Sequence, residues 1–520
     1  MRYSFNTTYQ DQFSYLIDNQ KYIFKVTMFN PDGDTLVLTK PQIIDLKIYD
    51  NIFEPWTYGK ISLDNTQQAL ERFRVTPTDL ELQPDAVDAK GYTTRGDGRD
   101  FIKIEIIPIK NDEYQAGSKE LDGVVGLRFF FNIENESHKF VDDKDIISYD
   151  ITDYDYEILR ERKSFFSSSN LVKDTNGKGL SNLSNYERSA YTGDCLKRIL
   201  VDSLNDPAAV FREEGEEDSE PLTPFFESGI SRIFYSSPAP NTALSDIVYI
   251  MDRHVSRSDK SDFTFLKKSP STGEYTLEGA ATKFEKAYNN KKNTGGPLFV
   301  ENFTITGGGR ETNNIIETEK KSPSGALEFG EKSEVIDFKF FNTFGKQYRD
   351  KIKSQIVHSY DFSNKKFNID IFENNIVAGK EKFSENYVSK LKGKDNNPSP
   401  NLPTTAMQTL NLSFDNNFSE YSDPEIRKSY GINKLLKNAL VTNMGIELIV
   451  KGQALRRSGT FFSIDRAGDY IDNTFDNKLL GIYFLVEVQH EFVNDNEYFN
   501  KIIGIKTYHY QDPKFREDLM

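Results

Sequence analysis

The chain has 520 residues and a formal net charge of −15, from 80 acidic and 65 basic side chains. At roughly 150 residues per domain, this length predicts about three or four domains. The acidic excess argues against a surface that binds nucleic-acid phosphates or the anionic headgroups of a membrane. The single cysteine, Cys195, allows no disulfide within the chain and is typical of folding in a reducing compartment.

The composition favours β structure. Aromatic residues make up 13% of the chain, with 40 Phe and 27 Tyr against one Trp, and such side chains fit the half-buried surface of a sheet. The N-terminus lacks the basic start and apolar stretch of a signal peptide. The longest strongly apolar run, 479–486, is too short to span a membrane. We therefore expect no membrane anchor.

Residues 1–162 are predicted to form one antiparallel β domain, a barrel or a sandwich. Apolar and polar residues alternate with a period of two in 44–49, and 59–64 returns as a second strand after a turn. Further strand patterns follow at 102–106, 127–133 and 146–156.

Residues 163–230 are predicted as a long loop and a connector helix. Thr192 is the predicted N-cap of this helix. The residues expected on its buried face share helical spacing and are Leu196, Ile199, Leu200 and Leu204.

Residues 231–335 are predicted as an inserted α/β domain. Asn241 or Thr242 is expected to cap a helix, and a hairpin is expected at 262–277. The predicted apolar stripe of that helix consists of Leu244, Ile247, Val248 and Met251.

Residues 336–520 are predicted as a second antiparallel barrel. Its strand patterns, the first of which begins one residue earlier, are 335–341, 355–360, 367–372, 409–414, 445–451, 460–465, 479–488 and 498–510. No repeat of fixed period is present, but two β-rich ends around a mixed middle predict two similar folds in one chain. The expected fold class is mainly β, with two tube-like barrels, a small mixed domain and helical connectors.

No set of residues predicts catalysis. The five histidines show no metal-ligand spacing, and one cysteine cannot build a zinc cluster. The segment 174–179 resembles a calcium loop, but Asn185 stands where a bidentate Glu is required. His490 and His509 are interpreted as ordinary strand residues. We expect no catalytic residue, no cofactor and no metal ion.

Five segments, in chain order, resemble the central hub family of contractile tails. This family includes the baseplate hubs of large myophages, the late-control D proteins and the N-terminal part of type VI spike proteins. The first segment, 43–65, reads IIDLKIYDNIFEPWTYGKISLDN and resembles the opening hairpin of the first hub barrel. The last, 479–510, reads LLGIYFLVEVQHEFVNDNEYFNKIIGIKTYHY and resembles the closing hairpin. The second segment consists of the runs 101–109, 127–140 and 146–166, and the third and fourth are 191–204 and 231–268.

The resemblance implies a structural protein of the virion, located in the tail baseplate and assembled in the host cytoplasm. It implies a homotrimeric ring that joins a sixfold tail tube or tube-initiator protein to a trimeric central spike. Other baseplate proteins, and a tape-measure protein in the lumen, are further expected partners. The ring would leave a channel for DNA without stable nucleic-acid binding. Another tail component, or a β protein that binds or acts on carbohydrate, is the alternative.

The subunit interface of such a ring is predicted on the opening and closing hairpins. Unpaired edge strands invite pairing, and a closed ring satisfies them between subunits. The interface residues predicted on this basis are Ile44, Leu46, Ile48, Ile61, Leu63, Ile482, Phe484, Val486, Ile503 and Ile505. A role inside the core of one chain is the alternative for each of them.

Overall fold

The structure is a computed structural model. It describes residues 15–17, 22–29, 35–66, 70, 101–108, 126–141, 143–172, 188–205, 222–238, 240–257, 264–279, 301–306, 316–318, 335–342, 354–361, 366–373, 408–412, 444–454, 456–467, 481–493 and 497–506. Within these ranges the chain forms 22 strands and three α-helices.

The N-terminal part of the chain consists of strands. These are β1 (Tyr15–Ile17), β2 (Tyr22–Phe29), β3 (Thr35–Val37), β4 (Ile43–Asn51), β5 (Tyr58–Asp64), β6 (Phe101–Pro108), β7 (Leu127–Val141) and β8 (Lys144–Asp153).

The middle of the chain mixes helices with short strands. Its elements are α1 (Tyr154–Glu161), β9 (Ala190–Tyr191), α2 (Thr192–Leu204), β10 (Arg232–Ile233), α3 (Ala243–Met251), β11 (Thr264–Lys268) and β12 (Tyr275–Gly279).

The C-terminal part returns to strands. These are β13 (Glu301–Thr306), β14 (Ile316–Thr318), β15 (Val335–Asn342), β16 (Ser354–Asp361), β17 (Lys366–Glu373), β18 (Gln408–Leu412), β19 (Met444–Lys451), β20 (Phe461–Ala467), β21 (Gly481–Val493) and β22 (Glu497–Lys506).

One 15-stranded sheet contains most of these strands. Its main order is β1-β2-β6-β7-β8-β5-β4-β21-β20-β13-β14, and β22, β19 and β15 continue from β21. Pairing is antiparallel except between β13 and β20. The mainly β class predicted from the sequence is confirmed, and the two β-rich ends join directly where β4 pairs with β21.

The first apolar core lies inside the N-terminal part of this sheet. It is built from inward side chains of β2 and β4–β8, such as Val26, Leu46 and Ile104. β2 lies six places from β21 in the strand order, yet the rings of Phe24 and Phe492 have centroids 4.7 Å apart. The sheet therefore curls back on itself around this core.

A second core belongs to the C-terminal strands. Its buried residues come from β15 and β19–β22 and are Val335, Ile446, Leu448, Val450, Phe462, Ile464, Tyr483, Leu485, Val488 and Ile502. A separate three-stranded sheet has the order β17-β16-β18. Each β-rich end thus has its own core, although one sheet runs through both.

Gly504 of β22 allows the second core to pack closely. A Cβ atom there would overlap the ring of Phe462. We expect Gly504→Ala to lower the free energy of unfolding by about 1–3 kcal/mol, because overpacking forces side chains from their preferred rotamers. Urea denaturation measures this change. Glu497→Ala, at the exposed start of the same strand, is the control and should cost less than about 0.5 kcal/mol. Equal stability of both variants would contradict the close packing.

A third core holds the helical unit together. It combines α1, α2 and α3 with the β11–β12 hairpin. The apolar face predicted for α2 is confirmed, since Leu196, Ile199, Leu200 and Leu204 are all buried in it. The segments predicted as a connector and as an inserted domain therefore share one core.

Three local predictions for this unit are wrong. Residues 154–156, predicted as the end of a strand, are the first residues of α1. The helix begins there because the Asp153 side chain accepts a hydrogen bond from the backbone N–H of Asp155 and caps it. The N-cap of α2 is Tyr191, and Thr192 is already helical. On α3 Val248 is exposed, whereas Ile250 is buried.

Two other local predictions are confirmed, and the remaining ones fall on residues that the structure does not describe. Thr242 is the N-cap of α3 and accepts a hydrogen bond from the backbone N–H of Ser245. The hairpin predicted at 262–277 corresponds to β11 and β12. The calcium-like segment 174–179, Asn185 and His509 lie outside the described residues.

Candidate functional site

The helical unit meets the large sheet at a buried ionic junction. Lys267 and Lys268 end β11, and adjacent strand residues point to opposite faces. The Lys267 Nζ lies 2.6 Å from Asp50 Oδ1 on β4. The Lys268 Nζ lies 2.8 Å from Asp153 Oδ1 and 3.0 Å from Asp155 Oδ2, where β8 passes into α1. The two lysines therefore bind separate acids on the sheet.

Asp50 connects three parts of the chain. It accepts hydrogen bonds from Ser458, from the backbone N–H at 2.8 Å and the hydroxyl at 2.9 Å, in addition to its bond from Lys267. Burial acts to raise the pKa of Asp50, but Lys267 and Arg457 hold that pKa well below its usual range. The carboxylate is thus charged and holds β4, the helical unit and the 456–460 segment together.

The second half of the junction is more costly electrostatically. Burial raises the pKa of Asp153, and the negative charge of Asp155 adds to this, while Lys268 opposes both. Two carboxylates lie near one ammonium in a place that excludes water. Removal of Lys268 would therefore leave buried negative charge without its counter-ion.

Trp56 belongs to the same junction. Its side chain is buried, and the indole Nε1–H donates to the Tyr275 hydroxyl at 2.8 Å. That hydroxyl donates in turn to Asp155 at 2.9 Å. Trp56 therefore packs inside the chain, which is not the exposed aromatic platform that sugar binding requires.

A second buried polar cluster lies between the first core and the C-terminal half. His490 Nδ1 accepts from the Tyr498 hydroxyl at 2.7 Å and lies 3.0 Å from the Asn500 amide nitrogen. The Arg456 guanidinium donates to Asn500 and, at 3.0 Å, to the backbone carbonyl of Lys451. Burial lowers the pKa of His490 to about 4, with Asp50 acting against this and Arg456 adding to it. His490 is therefore neutral near neutral pH.

The ten predicted interface residues occupy different environments. Four of them, Leu46, Ile48, Ile61 and Leu63, are fully buried in the first core of the chain itself. Phe484, Val486 and Ile505 are also buried. Ile44 and Ile503 are half-buried, and the side chain of Ile482 lies outside the described part.

The strands that carry these residues are not edge strands. β4 lies between β5 and β21, and β5 lies between β4 and β8. β21 and β22 likewise have a neighbour on each side. The expectation that these strands pair between subunits through free edges is therefore wrong. An interface role for the residues on their faces stays a prediction.

Sequence reasoning missed the ionic junction entirely. The sequence contains one local signal of it. The segment DFTFLKK ends in two adjacent lysines, and the alternation of the strand predicts that one of these two positions is buried. Buried lysines require acidic partners, but the three acids come from residues more than a hundred positions away.

The one cysteine of the chain, Cys195, lies in an environment that keeps its thiol unreactive. Cys195 is buried, and burial raises the pKa of its thiol, so that it stays protonated at neutral pH. Among the residues described, no three His, Cys, Asp or Glu side chains lie close enough to hold a metal ion. None of the described helices has the length and apolar character needed to cross a membrane.

Neither a protein-family model nor a curated protein sequence matches this chain. Several solved structures resemble it. The tail protein from Neisseria meningitidis MC58 aligns over 93% of this chain and 96% of its own, with 9% identity and a TM-score of 0.45. The 43 kDa tail protein of prophage MuSo2 from Shewanella oneidensis aligns over 94% and 100%, with 9% identity and a TM-score of 0.43.

A third similar structure is prophage tail protein gp18 from Listeria monocytogenes EGD-e. It aligns over 95% of this chain and 98% of its own, with 8% identity and a TM-score of 0.37. All three of these structures are described as tail proteins.

Proposed function

We propose that this chain is the structural hub of a contractile tail baseplate. One observation carries the proposal: the opening hairpin β4–β5 and the closing hairpin β21–β22 are built into one sheet that passes through two separate β cores. These are the two hairpins whose sequences resemble the hub family. The chain thereby presents two β units in a fixed relation, locked by the buried junction around Asp50.

Two β units in one chain suit a symmetry adaptor. Three copies in a closed ring present six such units, so one face meets a sixfold tail tube while the whole ring keeps true threefold symmetry. Closed cyclic symmetry is the ordinary result when a head-to-tail contact closes on itself. The partners of the proposed hub are therefore a tube or tube-initiator protein on one side and a trimeric central spike on the other.

The acidic character of the chain suits a ring that DNA passes through. Each lysine or arginine that neutralises a phosphate releases counterions and adds affinity, so a basic lumen would retard passage. A chain of net charge −15 supports a channel that holds no stable DNA complex. The proposed role is structural and requires no turnover of substrate.

The oligomeric state tests this proposal. We expect native mass spectrometry to show a trimer of the chain in the complex with its spike, because a threefold spike requires a threefold seat. A stable dimer or hexamer in that complex would overturn the hub assignment. The free protein, with its like charges repelling, is measured in parallel at low and moderate salt.

Variants on the sheet surface locate the interface. Ile503 is half-buried and is paired in register with Glu447 and Glu487 on the neighbouring strands. We expect Ile503→Glu to shift the trimer–monomer balance towards monomer by about tenfold, since a third carboxylate beside Glu447 and Glu487 in a desolvated interface costs more than about 1.4 kcal/mol. Val248→Glu, at an exposed position of α3, is the matched control and should leave the balance unchanged. Equal effects of the two variants would place the interface elsewhere.

A further inference from the structure

A cleft of about 750 Å³ opens on the surface of the helical unit, outside the junction described above. One wall is the segment 162–170 that follows α1, and the other is the outward side of α2 around Arg198 and Asp202. Clefts of about 300–1,000 Å³ are typical of ligand-binding sites. The cleft therefore has room for several residues of a peptide.

Backbone hydrogen bonds hold the first wall in place. The N–H of Ser164 donates to the carbonyl of Asn241 at 2.9 Å, and the N–H of Ser168 donates to the carbonyl of Tyr235 at 2.8 Å. The carbonyl of Phe166 accepts from the N–H of Ser237 at 2.8 Å. The wall is thus formed before any partner binds, which lowers the entropic cost of binding.

The cleft is basic although the chain is acidic. Among the residues that the structure describes, its lining contains Arg162, Lys163 and Arg198 against one carboxylate, that of Asp202. Arg198 binds Asp202 at 2.7 Å, but both side chains are about half exposed, and such pairs contribute little. A carboxylate from a partner can therefore compete for Arg198, and Lys163 is exposed on the other wall of the same cleft.

An exposed aromatic side chain lies at the same place. Phe165 is 86% exposed, while its neighbour Phe166 is half-buried and packs near Tyr235. Aromatic side chains are enriched in protein–protein interfaces, where they pack against side chains of the partner. Phe165 provides an apolar contact for the partner, and the basic side chains of the cleft favour a partner with negative charge.

We propose that this cleft binds an extended acidic peptide segment of a partner protein. An apolar side chain of the segment packs on Phe165, and its carboxylates pair with Lys163 on one wall and Arg198 on the other. Because the cations belong to opposite walls, they suit carboxylates spaced along a peptide better than one compact phosphate. The site does not depend on the trimeric ring, so it goes beyond the proposed hub function.

Fluorescence anisotropy tests the site with the full-length protein. The probe is a labelled octapeptide of aspartate and glutamate with one central phenylalanine. We expect saturable binding that weakens with added salt. A neutral peptide with asparagine and glutamine in place of the acids should bind at least about tenfold more weakly, since each 1.4 kcal/mol lost is tenfold.

Two variants and a matched control make the result specific. Lys163→Glu and Phe165→Ser should each weaken binding about tenfold or more. Phe225→Ser removes a phenylalanine that is 97% exposed but does not line the cleft, and it should leave affinity unchanged. All three positions are exposed, so unchanged melting temperatures verify folding.

Three outcomes would overturn the inference. They are the absence of binding by the unaltered protein, an equal loss in Phe225→Ser, and complete displacement of the peptide by inorganic phosphate at equal concentration. The last would assign the cleft to a simple anion. None of these outcomes alters the oligomeric state, so failure here is distinguishable from failure of the hub proposal.

Discussion

We expect Lys268→Met to lower the free energy of unfolding by about 3–5 kcal/mol, the range typical of removing one partner of a buried ion pair. Lys268 lies within 3.0 Å of both Asp153 and Asp155, and all three side chains are buried. Methionine fills a similar volume but carries no charge. The two carboxylates are then left in a low-dielectric environment, where at least one must take up a proton.

Urea denaturation at neutral pH measures this loss. The matched control is Lys60→Met, because Lys60 pairs with Asp150 at 3.7 Å with both side chains half exposed. Such a pair contributes about 0–1 kcal/mol. A loss in Lys268→Met no larger than that in Lys60→Met would show that the junction does not hold the helical unit to the sheet.

A double variant separates charge from packing. Asp153→Asn on the Lys268→Met background removes one of the two uncompensated carboxylates. We expect it to recover part of the lost stability, because the remaining acid no longer faces a like charge. Further destabilisation would instead assign the effect of Lys268→Met to lost packing.

We expect His490 to lower the free energy of unfolding by about 3 kcal/mol as the pH falls from 6.5 to 4. Its pKa drops from 6.5 to about 4 on folding, chiefly through burial. In this window the unfolded chain binds a proton at His490 and the folded chain does not, so stability decreases as the pH falls. A change of about 2.5 in the pKa, at about 1.36 kcal/mol per unit, corresponds to this loss of stability. Above pH 6.5 the contribution is fully present.

The variant His490→Gln isolates this contribution from the other groups that titrate in acid. Glutamine keeps hydrogen-bonding capacity towards Tyr498 and Asn500, which contact His490 in the structure. We expect the stability difference between the unaltered protein and the variant to shrink steadily from pH 6.5 to 4. A difference that is constant over this range would show that His490 does not titrate as its burial requires.

Local patterns in the sequence predict the positions of most strands and of two of the helices. The alternation around Leu46 and Ile48 corresponds to β4, whose inward side chains are both fully buried. The spacing of Leu196 and Leu200 corresponds to the buried face of α2. These patterns are local, because the period of a strand or helix brings apolar residues to one side whatever they pack against. The helix α1 is not predicted by these patterns, because the strand pattern of β8 runs directly into the capping residue Asp153.

The sequence patterns do not predict which parts of the chain pack against those apolar faces. Leu46 and Ile61 have the pattern of either a core or a subunit interface, and the curling of the sheet buries both within one chain. The pairing of β4 with β21 joins residues over four hundred positions apart, and Asp50 meets Lys267 only because the helical unit docks on β4. Periodicity specifies which residues share a face, whereas the partner of that face is set by the free energy of the whole packed arrangement.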